Sequence, residues 1–246
     1  MFSPTSQTAG LLDSGVLERS VAAQAWTYGW AISRDTPAPI QRAGYWEVRV
    51  GKPEQTTRYV LPHLDREVLK QLVADESAAG TWLKVCAPME SVSPLLSKDW
   101  KIHAPEFLMS VALARSAESL AAGYRVQIER VGALLRATVL TDGGDLAASG
   151  QAALDGAFAT FDQIVTDEAH RRRGLGRSVM AALTNGALDQ GARHGVLVAT
   201  EAGAALYAVL GWAMVSPVTA ASMPVELAER FAVPIRDPRP ANGLGR

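Results

Sequence analysis

A single cysteine, Cys86, stands in the 246-residue sequence, so no disulfide can close within the chain. Cysteine and histidine nowhere group at zinc-ligand spacing, and a reducing, cytoplasmic setting without a metal site is expected. Long hydrophobic runs are missing as well. Nothing approaches the roughly 18 uninterrupted apolar residues of a membrane span, and the opening MFSPTSQTAGLLDSG lacks a basic region followed by an apolar core. A soluble protein with no membrane partner is therefore expected. Neither charge dominates, with 24 Lys and Arg against 25 Asp and Glu, which excludes a global field that gathers nucleic acid. Any polyanion site must be local, and no repeat of fixed period is visible.

What is present is a globular composition, 48% apolar and 20% charged, sufficient to bury a sizeable core. The length suits two small domains at roughly 100 to 150 residues each. The pattern divides into an N-terminal α/β module over 1–118, a second module over 119–225 and a C-terminal extension over 226–246. In the first, DSGVLERSVAAQAWTYGW reads as a helix capped by Asp13 or Ser14, with Leu17, Val21 and Ala25 on one stripe. GYWEVRVG and TRYVLP read as neighbouring strands, LDREVLKQLVADE as a helix, and TWLKVCAP as a buried strand. MESVSPLLSKDW is a short helix interrupted by proline, PEFLMSVALA a further strand, and ARSAESLAAG a polar helix-like stretch. The second module opens as an antiparallel meander, YRVQIERV, LLRATVLT, LAASGQAAL and AFATFDQIVT, with Asp142, Gly143, Gly144 and Asp145 forming a turn. A helix, GLGRSVMAALTNGALDQG, follows with Gly191 at its cap, then a strand, HGVLVAT, a helix, GAALYAVL, and a short closing strand around Trp212 to Val215.

The chemistry concentrates in FDQIVTDEAHRRRGLGR, residues 161–177, where a strand passes through an Arg-rich turn into a helix. A helix start leaves backbone N–H groups open, its dipole adds positive potential, and glycine lets backbone approach a ligand closely. Arg171, Arg172, Arg173 and Arg177 add full charges, so the turn suits a phosphate or pyrophosphate. It is not a P-loop, because no lysine follows the glycines. It is not a dinucleotide fingerprint either, because Val179 stands at the third glycine. The remaining spacing is R-x-x-G-x-G, as Arg171, Gly174 and Gly176, and a second segment runs Ala204-Ala205-Leu206-Tyr207-Ala208-Val209-Leu210-Gly211-Trp212.

In these two segments, in this order, the sequence resembles the GCN5-related N-acetyltransferase (GNAT) family. The resemblance covers about Tyr124 to Val215, and the N-terminal half resembles a degenerate copy, as in tandem members. It implies an α/β (α+β) fold, a mixed, largely antiparallel twisted sheet flanked by helices, with a second, smaller α/β module at the N-terminus. It also implies an acetyl-CoA-dependent transferase and makes 119–225 the cofactor-binding domain. The resemblance places the pyrophosphate of acetyl-CoA on Arg171, Arg172, Arg173, Gly174, Leu175, Gly176, Arg177 and Ser178. Ile164, Val165 and Thr166 would pair with the pantetheine arm, and Thr200 aligns where many members carry asparagine. Tyr207 matches the general acid for the departing thiolate. Asp162, near the end of the same strand, is a catalytic candidate as base or as anchor of a cationic substrate, with Glu201 as a secondary contact. Asp167 and Glu168 read as loop and capping residues, and His170 as local packing or a phosphate contact. Cys86 reads as a small core residue, and one or two tryptophans of the first half as lining for a pocket between domains. The expected acceptor is a primary amine on a small molecule. A protein N-terminus or lysine, or a non-catalytic acyl-CoA sensor, are the alternatives.

Overall fold

The computed structural model describes residues 16–225 except 77, 118 and 119; the expected extension over 226–246, and Asp13 and Ser14, lie outside the described residues. The first helix, α1 (Arg19–Ser33), starts later than the pattern suggested. Glu18 caps it, its carboxylate accepting from the amides of Ser20 and Val21, and Leu17 sits in an isolated bridge. Three strands follow: β1 (Ile40–Arg42), which the pattern missed because it is only three residues long, β2 (Tyr45–Lys52) and β3 (Gln55–Leu61). Then come α2 (Arg66–Asp75), β4 (Thr81–Val85), the single turn α3 (Met89–Val92), the two-residue β5 (Lys101–Ile102) and β6 (Glu106–Ala112). The described part of ARSAESLAAG is not helical. Its polar residues have no apolar stripe with which to dock a helix.

The second half contains β7 (Tyr124–Val131), β8 (Leu134–Thr141), β9 (Leu146–Asp155) and β10 (Phe158–Thr166), an antiparallel meander whose register shifts once between β8 and β9 and once between β9 and β10. After it come α4 (Leu175–Asp189), β11 (His194–Thr200), α5 (Glu201–Val209) and β12 (Ala213–Ser222). Gly191, at φ 94°, closes α4 as its turn signal suggested, because a left-handed residue lets the chain return its amides to Leu188 and Ala187. β12 is ten residues long where four were expected. Its first half pairs with β6 through a bulge at Val215, and its second half pairs with β4.

Mixed pairing joins all of this into one twelve-stranded sheet among the described residues, in the order β1-β2-β3-β4-β12-β6-β11-β10-β9-β8-β7, with β5 beside β12. Both halves repeat one plan, an antiparallel pair, a helix, and a parallel strand, as β2-β3-α2-β4 and β9-β10-α4-β11. Each half lends its last strand to the other: β6 lies against β11, and β12 against β4. The sheet therefore has the mixed, largely antiparallel, helix-flanked form expected of the fold class.

Helix α4 covers one face with Leu175, Val179, Met180 and Leu183, and α2 covers the matching face of the first half with Leu69 and Leu72. On the opposite side α1 lies across both halves, its Trp26 and Trp30 packed with Trp46, Val48 and Val60 of the first half and with Leu108, Val196 and Val218 around the junction. Each fully buried Leu or Val contributes about 1.5 to 3 kcal/mol, so α1 is the clamp between halves as well as a core element. That position brings the end of α1 to β10, which matters for the site.

Candidate functional site

Strand β10 pairs with β11 only at Phe158 to Thr160, opposite His194 to Val196. Beyond that point the two parallel strands separate. The corresponding pair in the first half, β3 and β4, stays joined over Thr57 to Leu61 against Thr81 to Val85. A bulge deepens the separation: the register of β10 on β9 shifts between Asp162 and Val165, and Gln163 takes φ 56°. Ile164 turns into the core there. Space for it exists because residue 150 is glycine; a methyl on Gly150 would lie 2.4 Å from Ile164 and 2.7 Å from Val179. Val165 points outward and Thr166 reaches the cleft that follows.

The cleft has a volume of about 520 Å³ and is lined by Thr166, Arg171 to Arg177, Leu206 and the linker residues Leu120 and Ala121. Positive φ at Arg172 (62°) and at Gly174 (79°) turns the loop so that successive amides face one side, the geometry of an anion nest. A non-glycine residue in that region costs of order 1 kcal/mol or more, strain that collects at ligand clamps. Gly174 is the N-cap of α4 and offers no side chain, so the first amides of the helix remain open. The contrast with α2 is direct: Asp65 caps it, its carboxylate accepting from Glu67 and Val68, which places a negative charge where an anion would otherwise sit. One half leaves its helix start open and the other fills it with a carboxylate.

The arginines divide their tasks. Arg171 pairs with Glu168 at 3.1 Å, and Arg173 donates to the Tyr124 hydroxyl, which also meets His170 at 2.9 Å. These contacts pin the loop to β7, and they make His170 a local packing residue. Asp167 caps the short 3₁₀ turn by accepting from Ala169. Arg172 and Arg177 are exposed and have no side-chain partner among the described residues. Ser178 is buried at the start of α4.

Across the separation stands Tyr207, the one buried residue of α5, tilted against Trp212 with ring centroids 5.9 Å apart. Burial first, and the negative charge of Asp162 second, push its phenol up to about 12. The group therefore remains a proton donor at neutral pH. Thr200 is the N-cap of α5, its hydroxyl accepting from Gly203 at 3.3 Å, so that oxygen serves the helix; Glu201 is exposed beside it. Burial pushes the Cys86 thiol up to about 12, which removes it as a nucleophile.

Asp162 is committed elsewhere. One carboxylate oxygen accepts from Arg34 Nε and Ser33 Oγ, both at 2.7 Å, and the other from Arg34 Nη2 at 3.0 Å and the Gln163 amide at 2.9 Å. Burial alone would raise its pKa, but the hydrogen bonds from Arg34 and Ser33 and the Arg34 charge outweigh it and hold the group below its ordinary value of 3.8. A carboxylate so held is a poor acceptor for an ammonium proton, and the arrangement makes Asp162 the anchor that ties the end of α1 to the bulge. Gln151 completes the tie, donating to the Ser33 carbonyl and hydroxyl. Asp162→Asn is expected to cost about 1 kcal/mol of stability, a modest figure because Arg34 keeps 34% of its side chain in water. Since the folded-state pKa lies below 3.8, this increment is present above that pH and fades as pH falls through the lower folded value. Thermal unfolding of both proteins from pH 7 to pH 2.5 measures it, with the curves converging at the acid end.

Sequence reasoning missed four charged residues that the fold gathers near this anchor: Arg34, Arg58, Lys84 and Glu106. A signal existed. Arg58 and Lys84 interrupt strands otherwise apolar, at positions whose neighbours two residues away, Val60 and Cys86, belong to the core under α1. Among the described residues there is no metal-competent cluster of His, Cys, Asp and Glu, and no helix long and apolar enough to cross a membrane.

Residues 100–212 match the acetyltransferase (GNAT) family model. Comparison with curated proteins gives no match. Among solved structures, a GCN5-related N-acetyltransferase from Kribbella flavida superposes with a TM-score of 0.60 at 15% identity, covering 84% of this chain and 95% of its own. A second, from Sphaerobacter thermophilus, gives 0.57 at 10% identity over 75% of this chain and 78% of its own. A tandem GNAT protein from the clavulanic acid biosynthesis pathway gives 0.52 at 13% identity over 75% and 81%. These similarities are of fold. The matched model starts within the strand-exchanging region of the first half and contains the separated strands, the Arg turn and α5, so residues 100–212 are similar to the GNAT acetyltransferase family and the chain shares the fold of its solved members.

Proposed function

We propose that the protein transfers an acetyl group from acetyl-CoA to a primary amine by direct attack in a ternary complex. The observation that carries this reading is the separation of β10 from β11 beyond Thr160, ending at an uncapped helix start on one side and at Tyr207 on the other. A thioester arm fits such a gap as an added strand would, exchanging hydrogen bonds with the open backbone of Ile164 to Thr166. The pyrophosphate rests on the amides of Leu175 to Arg177 and beside Arg172 and Arg177. The amide at Ile164 polarises the thioester carbonyl, and Tyr207 protonates the departing sulfur. With Asp162 held by Arg34, the proton of the amine passes to water.

Closing the nest tests cofactor binding. A methyl on Gly176 would lie 3.6 Å from Thr166 Oγ1 and 3.9 Å from Leu206, inside the cleft without a clash in the empty protein. Gly176→Val is therefore expected to fold normally and to weaken acetyl-CoA binding by roughly 10-fold or more, about 1.4 kcal/mol for each factor of ten. Titration calorimetry reads this directly. Turnover is tested by thiol release from acetyl-CoA across a panel of primary amines. Release with small amines supports the proposal, release only with peptides moves the acceptor to a protein, and tight acetyl-CoA binding with no release identifies a sensor.

A further inference from the structure

Under the end of α1, between the halves, lie three cations and two carboxylates. Arg34 is paired with Asp162, and Lys84, 5% exposed, with Glu106. Arg58 is left over. It is 7% exposed, within electrostatic reach of Glu106, Arg34 and Asp162, yet forms an ion pair with none of them. Trp30 stacks on its guanidinium at 3.7 Å and Trp26 stands 5.8 Å away. Its one hydrogen bond runs from Nη2 to the Gln55 amide oxygen at 3.3 Å. Its Nε is buried without a partner, and so is the Nε2 of Gln55 beside it. A guanidinium stays charged at neutral pH even though burial lowers its pKa, so a full positive charge is enclosed here unmatched. Such a group costs several kcal/mol when nothing compensates it, and buried donors of this kind are rare enough in native proteins to require a reason.

We infer that Arg58 receives a carboxylate carried by the acceptor, so that the substrate is amino-acid-like, a primary amine with a carboxylate a few atoms away. The inference rests on the acetyl-transfer reading above and names the substrate class of that same site. Position supports it. The charges of Arg34, at the end of α1, and of Asp162 both act on Arg58, and Asp162 begins the bulge at which the thioester carbonyl is placed. Shape supports it too: with one face against Trp30 and Nη2 donating to Gln55, the unpartnered Nε–H suits one planar, singly charged carboxylate. A doubly charged phosphate would need the cations already committed to Asp162 and Glu106. Trp30 and Trp26 then exclude water around the new ion pair, which strengthens it.

The test compares amino acids with their uncharged amides as acceptors, at saturating acetyl-CoA, in the wild type and in Arg58→Met. In the wild type the acid is expected to exceed its amide in kcat/KM by roughly 10- to 100-fold, the scale of a hydrogen bond to a charged group. In Arg58→Met that ratio falls to near one, with the change in KM. Equal use of acid and amide by the wild type, or a preference that survives Arg58→Met, overturns the inference while leaving acetyl transfer intact. A second arm does not depend on turnover: a panel of N-acetyl amino acids is expected to raise the Tm of the wild type and not that of Arg58→Met. No shift in either protein also overturns it. Arg58→Met itself is expected to match or exceed the wild-type Tm, because it removes an unmatched buried charge and leaves an unbranched apolar side chain beside Trp30. A fall of several degrees makes the arginine a structural residue and counts against the inference. Failure of the functional reading looks different, with no acetyl-CoA binding and no thiol release from any amine.

Discussion

Tyr207→Phe is expected to lower kcat by roughly 10² to 10⁴, the range over which a positioned proton donor contributes, while acetyl-CoA affinity and Tm stay near wild type. The asymmetry follows from the environment of the hydroxyl. Tyr207 is 9% exposed and its ring is held by Trp212 and by the absence of a side chain at Gly203, whose added methyl would come within 3.3 Å of it. The hydroxyl itself has no hydrogen-bond partner among the described residues. Removing it leaves no orphaned group behind and does not disturb the ring. The pH profile gives a second check. A phenol pushed up to about 12 stays protonated through the whole working range, so no alkaline loss of kcat below about pH 11 belongs to it. Steady-state thiol release from pH 6 to 10, with calorimetry for cofactor binding, separates the two effects. Equal turnover by the phenylalanine variant would remove Tyr207 from the chemistry and leave water as the proton source.

The largest loss of stability is expected from Gly29→Ala. A methyl at this position would lie 2.0 Å from Thr160 Oγ1 and 2.3 Å from its Cβ, far inside contact distance, and both atoms belong to a short β-branched side chain on a paired strand. Neither can move aside. Thr160 is also fixed by its hydroxyl, which donates to the Ala25 carbonyl of α1 at 3.0 Å. The helix must then lift from the sheet, exposing the Trp26 and Trp30 contacts. Overpacking of this kind costs roughly 1 to 3 kcal/mol and more where backbone must shift, equivalent to a fall in Tm of about 6 to 12 °C for about 3 kcal/mol in a chain of this size. Thr160→Gly in the same chain is expected to return part of it. Activity should fall with Gly29→Ala beyond what the melting loss explains at 25 °C, since the same helix carries Ser33 and Arg34 to Asp162 and Trp30 to Arg58. Thermal melts of the single and double variants, with thiol release well below each Tm, decide this; an unchanged melt would mean that α1 does not rest on β10 as closely as described.

Much of the architecture was legible in local pattern. The meander from Tyr124 to Thr166, the helix at Leu175 and the strand at His194 to Thr200 follow from period-two and period-3.6 apolar spacing, and glycine marks the turn at Asp142 to Asp145 and the cap at Gly191. The cleft was legible too, because Arg171, Gly174 and Gly176 lie within six residues and the chemistry of an open helix start needs no distant partner. Local pattern does not show what a distant neighbour decides. Asp162 stands next to the turn in sequence and looked available, but Arg34, 128 residues away, takes its carboxylate. Thr200 looked like a cofactor contact and its hydroxyl caps the next helix. The start of α1 moved to Arg19 because the carboxylate of Glu18 binds the amides there.

The amino-acid sequence by itself determined which half leaves its helix start open. Gly174 leaves the start of α4 open, whereas Asp65 fills the start of α2, and both effects act within one turn of backbone. Only the tertiary structure decided what surrounds the bulge of β10. The exchange of β6 and β12 joins the halves into one sheet and brings α1 across the junction. Charges from four separate elements then meet at the bulge of β10. Hydrogen bonds within a turn are set by residues three or four apart, while the pairing state of a buried charge depends on which strands the fold makes neighbours. For that reason Tyr207 was visible in a motif, and Arg58, whose missing partner bears on the acceptor, was visible only once the two halves were assembled.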